Sequence, residues 1–370
     1  SLSLFGYCTE FPTPRTNSWR ESFDCCSWEG VTCDKVIGHN HDFNMLSSNL
    51  TSLRDLHHDS VNMSSVTPMS LLNLSSYLTS LSPTFCGISG EIPDSFPVSN
   101  WSSPLIHWSL EIMVSRILDL GYNKLTGPIE HDQIQLHNAV LQSFVLKNND
   151  VMVLPSYFFE LENLSYLDLS SNNLSGTVES NTLAKLEKLG YLELSNNRFL
   201  SLSGSDSDIN YTIPMLTSFL FFFSSCNARK FPNFLRTTES LYNFYLSNNK
   251  IEGPLLVPPP LVHVLDLSRN SLGKTIPECL GNLNRFLMFL QLHMNNFHGL
   301  VTRRLVQKFQ REMEMMQLLS IFIAMGFSEN LFYGHIPKEL GALCSLQVLN
   351  LSHNHFNGPI PPSYSRIYQN

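Results

Sequence analysis

The sequence predicts a solenoid of the α/β class, a fold in which short and similar segments of chain stack one upon another. Two observations lead to this prediction. The pattern L-x-x-L-x-L-x-x-N-x-L recurs along most of the 370 residues, and its copies are spaced by about 24 residues. The clearest copy, Leu164 to Leu174, reads LSYLDLSSNNL and has Asn172 at the Asn position. We therefore expect one stack of about twelve repeats.

The leucines of each repeat predict one short strand. Side chains alternate along a strand, so the two leucines of L-x-L point inward and their neighbours point outward. Strands of successive repeats then pair side by side as a curved parallel sheet on the concave face. This arrangement is a leucine-rich-repeat solenoid.

The asparagine of each repeat predicts a ladder of buried hydrogen bonds. After the strand the chain turns inside the protein, where backbone groups need partners. An Asn side chain has two donors and an acceptor, so stacked asparagines satisfy the backbone of successive turns. In three degenerate repeats Val61, Cys86 and Cys226 take this position. The predicted ladder consists of Asn123, Asn149, Asn172, Asn197, Asn249, Asn270, Asn295, Asn330 and Asn354.

The residues that follow the ladder position predict the convex side of each repeat. Several repeats continue as G-x-I-P, for example Gly334, Ile336 and Pro337. Glycine permits positive φ, isoleucine re-enters the core, and proline gives an extended return without a backbone donor. We therefore expect a mostly irregular or 3-10 convex side with little α-helix.

Two intervals, near 97–115 and 302–323, exceed the period of the repeat. The first is irregular and contains Trp101 and Trp108, whereas the second contains the basic, Met-rich run RRLVQKFQREMEMM. The second interval is compatible with an amphipathic helix laid outside the coil, with a disordered or partner-binding loop, and with a segment that is not native coding sequence.

Four of the eight cysteines, Cys8, Cys25, Cys26 and Cys33, are crowded near the start of the chain. This crowding predicts a disulfide-stapled cap and an oxidising compartment. A solenoid end exposes its core, and such a cap covers it. We assign the cap to 1–45, the solenoid to 46–362 and a frayed tail to 363–370.

The opening segment SWRESFDCCSWEGVTCD resembles the N-terminal cap of plant extracellular leucine-rich-repeat proteins. The pattern C-x-W-x-G-V-x-C of that cap falls on Cys26, Trp28, Gly30, Val31 and Cys33. Together with the L-x-G-x-I-P form of the repeats, the chain resembles the ectodomain of plant receptor-like proteins of the Cf type, known for disease resistance. For the cap we expect Cys26 to pair with Cys33 and Cys8 with Cys25, although four cysteines leave three pairings open.

The resemblance implies a binding function without catalysis. It implies an extracellular or apoplastic ectodomain, bound to the plasma membrane if the full-length chain has a C-terminal span. Such an ectodomain would bind a peptide or protein ligand and signal in defence through co-receptor kinases. The alternatives are a soluble secreted inhibitor of cell-wall-degrading enzymes, similar to polygalacturonase-inhibiting proteins, and a nonfunctional truncated receptor gene product.

Composition and motifs exclude several other functions. The net charge of -8 argues against nucleic acid as a partner. No apolar run reaches the 18 or so residues of a membrane span, so we expect no direct membrane insertion by this segment. Carboxylates and histidines form no pattern typical of a catalytic or metal site, and we predict neither an enzyme nor a cofactor.

The outward strand positions predict a ligand-binding surface, because they tile one concave face. Tyrosines with small polar neighbours suit recognition, since they offer area and a hydrogen-bonding tip. The predicted contact residues are Tyr166, Asp168, Tyr191, Glu193, Asn243, Tyr245, Asp266, Arg269, Phe289, Gln291 and His293.

The motif N-x-[ST] marks candidate glycosylation sites in a secreted chain. It occurs at Asn49, Asn62, Asn73, Asn100, Asn163, Asn173, Asn210 and Asn350. In the run of two asparagines, Asn172 is expected to point inward and Asn173 outward.

Overall fold

The computed structural model describes the chain from residue 55 to residue 366. Gaps fall at 60–62, 72–79, 92–115, 129–140, 154–158, 160, 184, 204–218, 233–240, 257–260, 279, 281–286, 315–322 and 344–345. The predicted cap and the predicted insertion near 97–115 lie outside the described residues. The chain divides into two compact units, 1–157 and 158–370, which we call the N-terminal and C-terminal units.

The N-terminal unit contains a parallel sheet formed by one strand from each coil. These strands pair in the order β1, β2, β4 and β6. A second set, β3, β5 and β7, pairs in parallel on another side of the coils. The strands are β1 Asp55–Asp59, β2 Ser80–Thr84, β3 Ser89–Glu91, β4 Ile117–Asp119, β5 Lys124–Pro128, β6 Ser143–Val145 and β7 Asp150–Val153, with a short helix α1 at Pro68–Leu71.

The C-terminal unit repeats this plan. Its main sheet is parallel and has the order β8, β10, β12, β13, β15, β17, β19 and β21. The strands of this main sheet are β8 Tyr166–Asp168, β10 Tyr191–Glu193, β12 Phe219–Phe222, β13 Leu241–Tyr245, β15 Val264–Asp266, β17 Phe289–Gln291, β19 Ile323–Gly326 and β21 Leu346–Asn350.

The lateral strands of the C-terminal unit form two further parallel groups. Strand β9 pairs with β11, and β14, β16, β18, β20 and β22 follow one another in a five-stranded group. Their bounds are β9 Ser175–Val178, β11 Phe199–Leu202, β14 Glu252–Pro254, β16 Ser271–Lys274, β18 Asn296–Gly299, β20 Leu331–His335 and β22 His355–Asn357. Helices α2 at Ser180–Leu183 and α3 at Arg303–Glu314 and 3-10 turns at Lys338–Ala342 and Pro362–Arg366 complete the unit. The predicted leucine-rich-repeat solenoid fold is confirmed.

The core lies beneath the main sheet and is formed by the central residue of each strand. Seven of these side chains are fully buried, and each stabilises the fold by about 1.5–3 kcal/mol. They are Leu167, Leu192, Phe221, Phe244, Leu265, Leu290 and Met325, each 0% exposed.

The turn after each strand contains one residue in the left-handed region of φ, directly before the ladder position. Left-handed φ is costly for most residues and mildest for glycine and asparagine. Asparagine occupies this place at only three of eleven described turns. The residues are Phe85, Tyr122, Asn148, Ser171, Asn196, Ser225, Asn248, Arg269, Met294, Glu329 and His353, with φ from 52° to 62°.

The ladder asparagines lie directly after these left-handed residues and bond to the backbone, and those other than Asn172 bond to two coils. Asn295 shows the pattern: its Nδ2 donates to Leu267 O of the preceding coil at 2.9 Å and to Leu292 O of its own coil at 3.2 Å. Its Oδ1 accepts from Leu272 N of the preceding coil at 3.0 Å. The amide of Asn172 likewise donates to Leu169 O, at 3.1 Å. An amide such as that of Asn295 therefore joins neighbouring coils as well as closing its own turn.

The two cysteines at ladder positions keep part of this bonding. The Cys226 thiol lies 3.3 Å from Leu194 O of the preceding coil and 3.4 Å from Ser224 O of its own. Cys86 is also buried, and its thiol donates to Thr84 O. Burial raises the pKa of the Cys226 thiol to about 12, so this group stays protonated and can donate. A thiol is a weak donor, so Cys86 and Cys226 bind the backbone less strongly than the ladder asparagines do.

The interval 302–323 contains an amphipathic helix, which was one of the alternatives left open. The Thr302 hydroxyl caps helix α3 by accepting from Leu305 N at 3.2 Å. Leu305, Val306 and Phe309 are buried. Arg303 faces outward and forms an ion pair with Glu339 at 2.9 Å, on the 3-10 turn Lys338–Ala342. The apolar side of α3 is therefore packed against the coil, and its basic side is exposed.

The end of the described chain differs from the expected frayed tail. Residues Pro362–Arg366 form a 3-10 turn, and Tyr364 is only 4% exposed. The Tyr364 hydroxyl donates to Pro337 O at 3.1 Å, and the Ser363 hydroxyl donates to Lys338 O at 2.8 Å. Fraying from residue 363 was therefore wrong for 363–366, because an aromatic ring anchors this turn to the preceding coil.

Glycine at the lateral turns allows close packing between coils. Gly334 and Gly358 both have positive φ, at 85° and 80°. A Cβ at Gly334 would collide with the side chain of Leu300, and one at Gly358 with the ring of His335. The glycine of G-x-I-P therefore permits positive φ in its own coil and leaves room for a side chain of the neighbouring coil. None of the described helices is long and apolar enough to cross a membrane.

Candidate ligand-binding surface

Strand register in the main sheet of the C-terminal unit aligns outward side chains in two rows. The first row contains Tyr166, Tyr191, Leu220, Asn243, Val264, Phe289, Ala324 and Val348. The second row contains Asp168, Glu193, Phe222, Tyr245, Asp266, Gln291, Gly326 and Asn350. The structure thus brings ten of the eleven predicted contact residues to one sheet or its edge, and Arg269 follows in the turn after β15.

Four aromatic rings follow one another across neighbouring strands of this surface, as two stacked pairs joined by a contact tilted at 41°. The ring centroids of Tyr166 and Tyr191 lie 4.2 Å apart with 5° between the planes. Tyr191 and Phe222 follow at 5.3 Å, and Phe222 and Tyr245 at 4.7 Å with 10° between the planes. All four side chains are half-buried. We call these four residues the aromatic row.

The sequence reading missed Phe222, the third ring of the aromatic row. This residue lies in the run FLFFFSS, where alternation of polar and apolar residues cannot be read. Cys226 was the available signal, because outward residues of the second row lie four positions before the ladder residue. Counting back from Cys226 gives Phe222, just as counting back from Asn172 gives Asp168.

The hydroxyls of Tyr191 and Tyr245 in the aromatic row remain neutral. Burial raises the pKa of Tyr191 above its ordinary value, and Tyr166, Glu193 and Asp168 raise it further. Burial also raises the pKa of Tyr245, with a contribution from Asp266. These hydroxyls can therefore both donate and accept hydrogen bonds over the whole physiological range of pH.

The carboxylates of the second row close the turn after the strand. Asp168 Oδ1 accepts from Ser170 N at 3.1 Å and from its hydroxyl at 2.6 Å. Asp266 binds Ser268 in the same way, at 3.0 and 2.7 Å. Asp168 is only 3% exposed, so its predicted contact with a ligand is wrong. Asp266 is half-buried and reaches the surface.

The remaining predicted contacts lie toward β17. Glu193 and Asn243 are half-buried, Arg269 is exposed, and Phe289 is 38% exposed. Gln291 extends over Gly326, so that a Cβ at Gly326 would collide with its amide oxygen. His293 also lies near Gly326.

The predicted modification sites are only partly described. Asn173 and Asn350 are exposed, whereas Asn163 is half-buried and accepts from Lys188 Nζ at 2.6 Å. Asn350 Oδ1 accepts from Ser352 N and its hydroxyl, as Asp266 does from Ser268. The other candidate glycosylation sites, Asn49, Asn62, Asn73, Asn100 and Asn210, and the cap cysteines Cys8, Cys25, Cys26 and Cys33 lie outside the described residues.

Family comparisons agree with the repeat pattern. Leucine-rich-repeat models match residues 139–199, 261–283 and 345–367. A model of the leucine-rich-repeat N-terminal domain matches residues 2–34, the segment predicted to form the cap.

Among curated proteins, the chain is similar to receptor-like proteins of Arabidopsis thaliana. It is 33% identical to Receptor-like protein 7 over 140 residues, which cover 37% of this chain and 13% of that protein. It is 31% identical to Receptor-like protein 35 over 243 residues, which cover 57% of this chain and 25% of that protein. The chain thus matches a quarter or less of the length of these relatives.

A solved structure of similar fold is that of the Arabidopsis receptor kinase HAESA, in complex with the peptide hormone IDA and the co-receptor SERK1. The two superpose with a TM-score of 0.62 at 24% identity, over 86% of this chain and 53% of that chain. At this identity the likeness concerns the fold. With its repeats, its cap motif and its relatives taken together, the chain is a leucine-rich-repeat protein that is similar to plant receptor-like proteins.

Proposed function

We propose that the chain is the ligand-recognition region of a plant receptor-like protein and that the main sheet of its C-terminal unit binds a peptide or protein. The aromatic row is the observation that carries this proposal. Its four half-buried rings lie outside the interior of the coils, whose cores are filled by other residues. Half-exposed tyrosines are enriched in recognition surfaces, because they combine apolar area with a hydroxyl.

The proposal also includes the partners and the location of the chain, which are inferred from its relatives. The bound ligand would lie outside the cell, and partner receptor kinases would transmit the signal in pathogen defence. That HAESA was solved with a peptide hormone and a co-receptor supports this role for a chain of the same fold.

The test uses the secreted chain and the peptide fraction of apoplastic fluid from challenged leaves. Wild type is compared with the double variant Tyr191→Ala, Tyr245→Ala and with the control Tyr333→Ala. Tyr333 is 53% exposed on the lateral strand β20, away from the main sheet. Circular dichroism first checks that all three chains are folded.

Mass spectrometry then identifies the retained peptides. We expect wild type and Tyr333→Ala to retain the same peptides and the double variant to lose them. Equal retention by all three chains would refute the assignment of the surface. Inhibition of a fungal polygalacturonase by the chain would support the alternative function of a secreted inhibitor.

A further inference from the structure

The main sheet of the C-terminal unit presents negative and no positive side chains. Its eight strands contain no lysine or arginine, whereas Glu193 and Asp266 lie half-buried in the second row. The whole chain carries a net charge of -8. Arg269 is exposed in the turn after β15, outside the strands, and a ligand that covers the sheet itself complements these carboxylates best if it carries positive charge.

The aromatic row offers ring edges and hydroxyls, and one face of each ring is covered by its stacked partner. Tyr166 stacks on Tyr191 and Phe222 on Tyr245 with nearly parallel planes, so the faces cover one another. A sugar ring that stacks on an aromatic residue needs an open face, and the inner faces of both pairs are already covered. Hydroxyl oxygens and carboxylates instead form a line of hydrogen-bond acceptors, which suits a ligand rich in donors.

The second row places the two carboxylates at a defined separation. Glu193, Phe222, Tyr245 and Asp266 are register neighbours on four successive strands. Three strand spacings correspond to about 14 Å. In an extended peptide, residues i and i+4 point to the same side and are also about 14 Å apart. A peptide lying across the strands can therefore place one side chain at each carboxylate.

We propose that this surface recognises an extended basic segment with two arginines in the spacing R-x-x-x-R, one at Glu193 and one at Asp266. Arginine fits better than lysine because its planar guanidinium donates to a carboxylate and to a tyrosine hydroxyl at once. The segment between the arginines lies over Phe222 and Tyr245. This inference rests on the proposed function and specifies the chemistry of its ligand.

The test measures binding of defined peptides by calorimetry at low and at physiological salt. Four nine-residue Gly/Ser peptides carry two arginines four residues apart, two arginines two residues apart, two lysines four residues apart, or two glutamates four residues apart. Cellohexaose serves as a carbohydrate probe. We expect the first peptide to bind best, about fivefold more tightly than the second or third, with no binding of the glutamate peptide or the sugar.

The decisive variant is Glu193→Gln with Asp266→Asn. Both amides can still accept from the serine of the turn, as Asn350 does from Ser352 at the same place in β21. The control variant, Glu179→Gln with Glu252→Gln, removes two exposed carboxylates outside the main sheet and changes the net charge equally. We expect at least about fivefold weaker binding of the first peptide in the former and less than about twofold in the latter.

Equal weakening in both variants would overturn the inference, because it would indicate general attraction to an acidic protein. Absence of binding, equal affinity for both arginine spacings, or binding of cellohexaose would also overturn it. Failure here is distinguishable from failure of the proposed function. If natural peptides depend on Tyr191 and Tyr245 but lack paired arginines, the recognition surface stands and its proposed ligand class does not.

Discussion

Replacing Asn197 by alanine tests how the ladder stabilises the coils. Asn197 is 0% exposed, and its Nδ2 donates to Leu169 O at 3.0 Å and Leu194 O at 2.8 Å. Its Oδ1 accepts from Leu174 N at 3.1 Å. The substitution therefore leaves Leu174 N without its acceptor and removes one of two side-chain donors from Leu169 O and from Leu194 O, which keep Asn172 Nδ2 and Cys226 Sγ.

The expected loss follows from these three groups. A buried donor or acceptor left without its partner costs about 1–3 kcal/mol. With about 1–3 kcal/mol for the unpaired Leu174 N and about 0.5–1 kcal/mol for the bond lost at each carbonyl, Asn197→Ala should destabilise the fold by about 2–5 kcal/mol. This is a large fraction of the 5–15 kcal/mol that is typical of a folded domain.

Two further substitutions separate the ladder from a general effect of losing an amide. Asn197→Cys should be milder than Asn197→Ala, because a thiol at this place still donates to the backbone, as Cys226 does. Asn173→Ala removes an exposed amide and should change the free energy of unfolding by less than about 0.5 kcal/mol.

Urea unfolding followed by circular dichroism measures the overall loss, and hydrogen exchange locates it. Coils interact mainly with their neighbours and can open locally, so exchange of the Leu174 amide should accelerate most. The reasoning is refuted if Asn197→Ala costs less than about 1 kcal/mol, or no more than Asn173→Ala, or if Leu174 keeps its protection.

Four more predictions concern other parts of the molecule. Glu329→Asn should stabilise the protein by about 0.5–1 kcal/mol in urea unfolding, because Glu329 is exposed at a φ of 53° that asparagine tolerates better; a loss of stability would contradict this. Because the pKa of Tyr191 is raised in the folded chain, the unfolded chain loses this proton above pH about 10 while the folded chain keeps it. The stability of the fold is therefore full below pH about 10 and falls above it. Tyr191→Phe should make the alkaline fall of the urea midpoint shallower, and an unchanged slope would argue against burial of this hydroxyl. Phe309→Ala should cost about 3 kcal/mol and accelerate hydrogen exchange throughout α3, whereas a helix that is not packed on the coil would show no change. Mass spectrometry of chain secreted from plant cells should find glycan on Asn173, and glycan on Asn172 would place the ladder one residue off.

Local spacing alone was sufficient to predict the repeat, the strand of each coil and the ladder. Leu167 and Asn172 belong to a pattern that returns in every coil, so one reading applies to many places. Spacing also distinguished the two adjacent asparagines. Asn172 is half-buried and bonds to its own turn, whereas Asn173 is exposed. A one-residue slip would turn every leucine outward, and burial therefore leaves only one register.

The tertiary structure decided what depends on contacts between coils. Phe222 could not be assigned from its apolar run, and its place in the aromatic row depends on Tyr191 and Tyr245 in the neighbouring coils. Asp168 has the sequence context of a surface carboxylate, yet packing between coils leaves it buried. Tyr364 is held by a coil that lies 27 residues earlier in the chain. Spacing specifies which way a side chain points within its own coil, but its exposure and its partners are set by the coils stacked on either side.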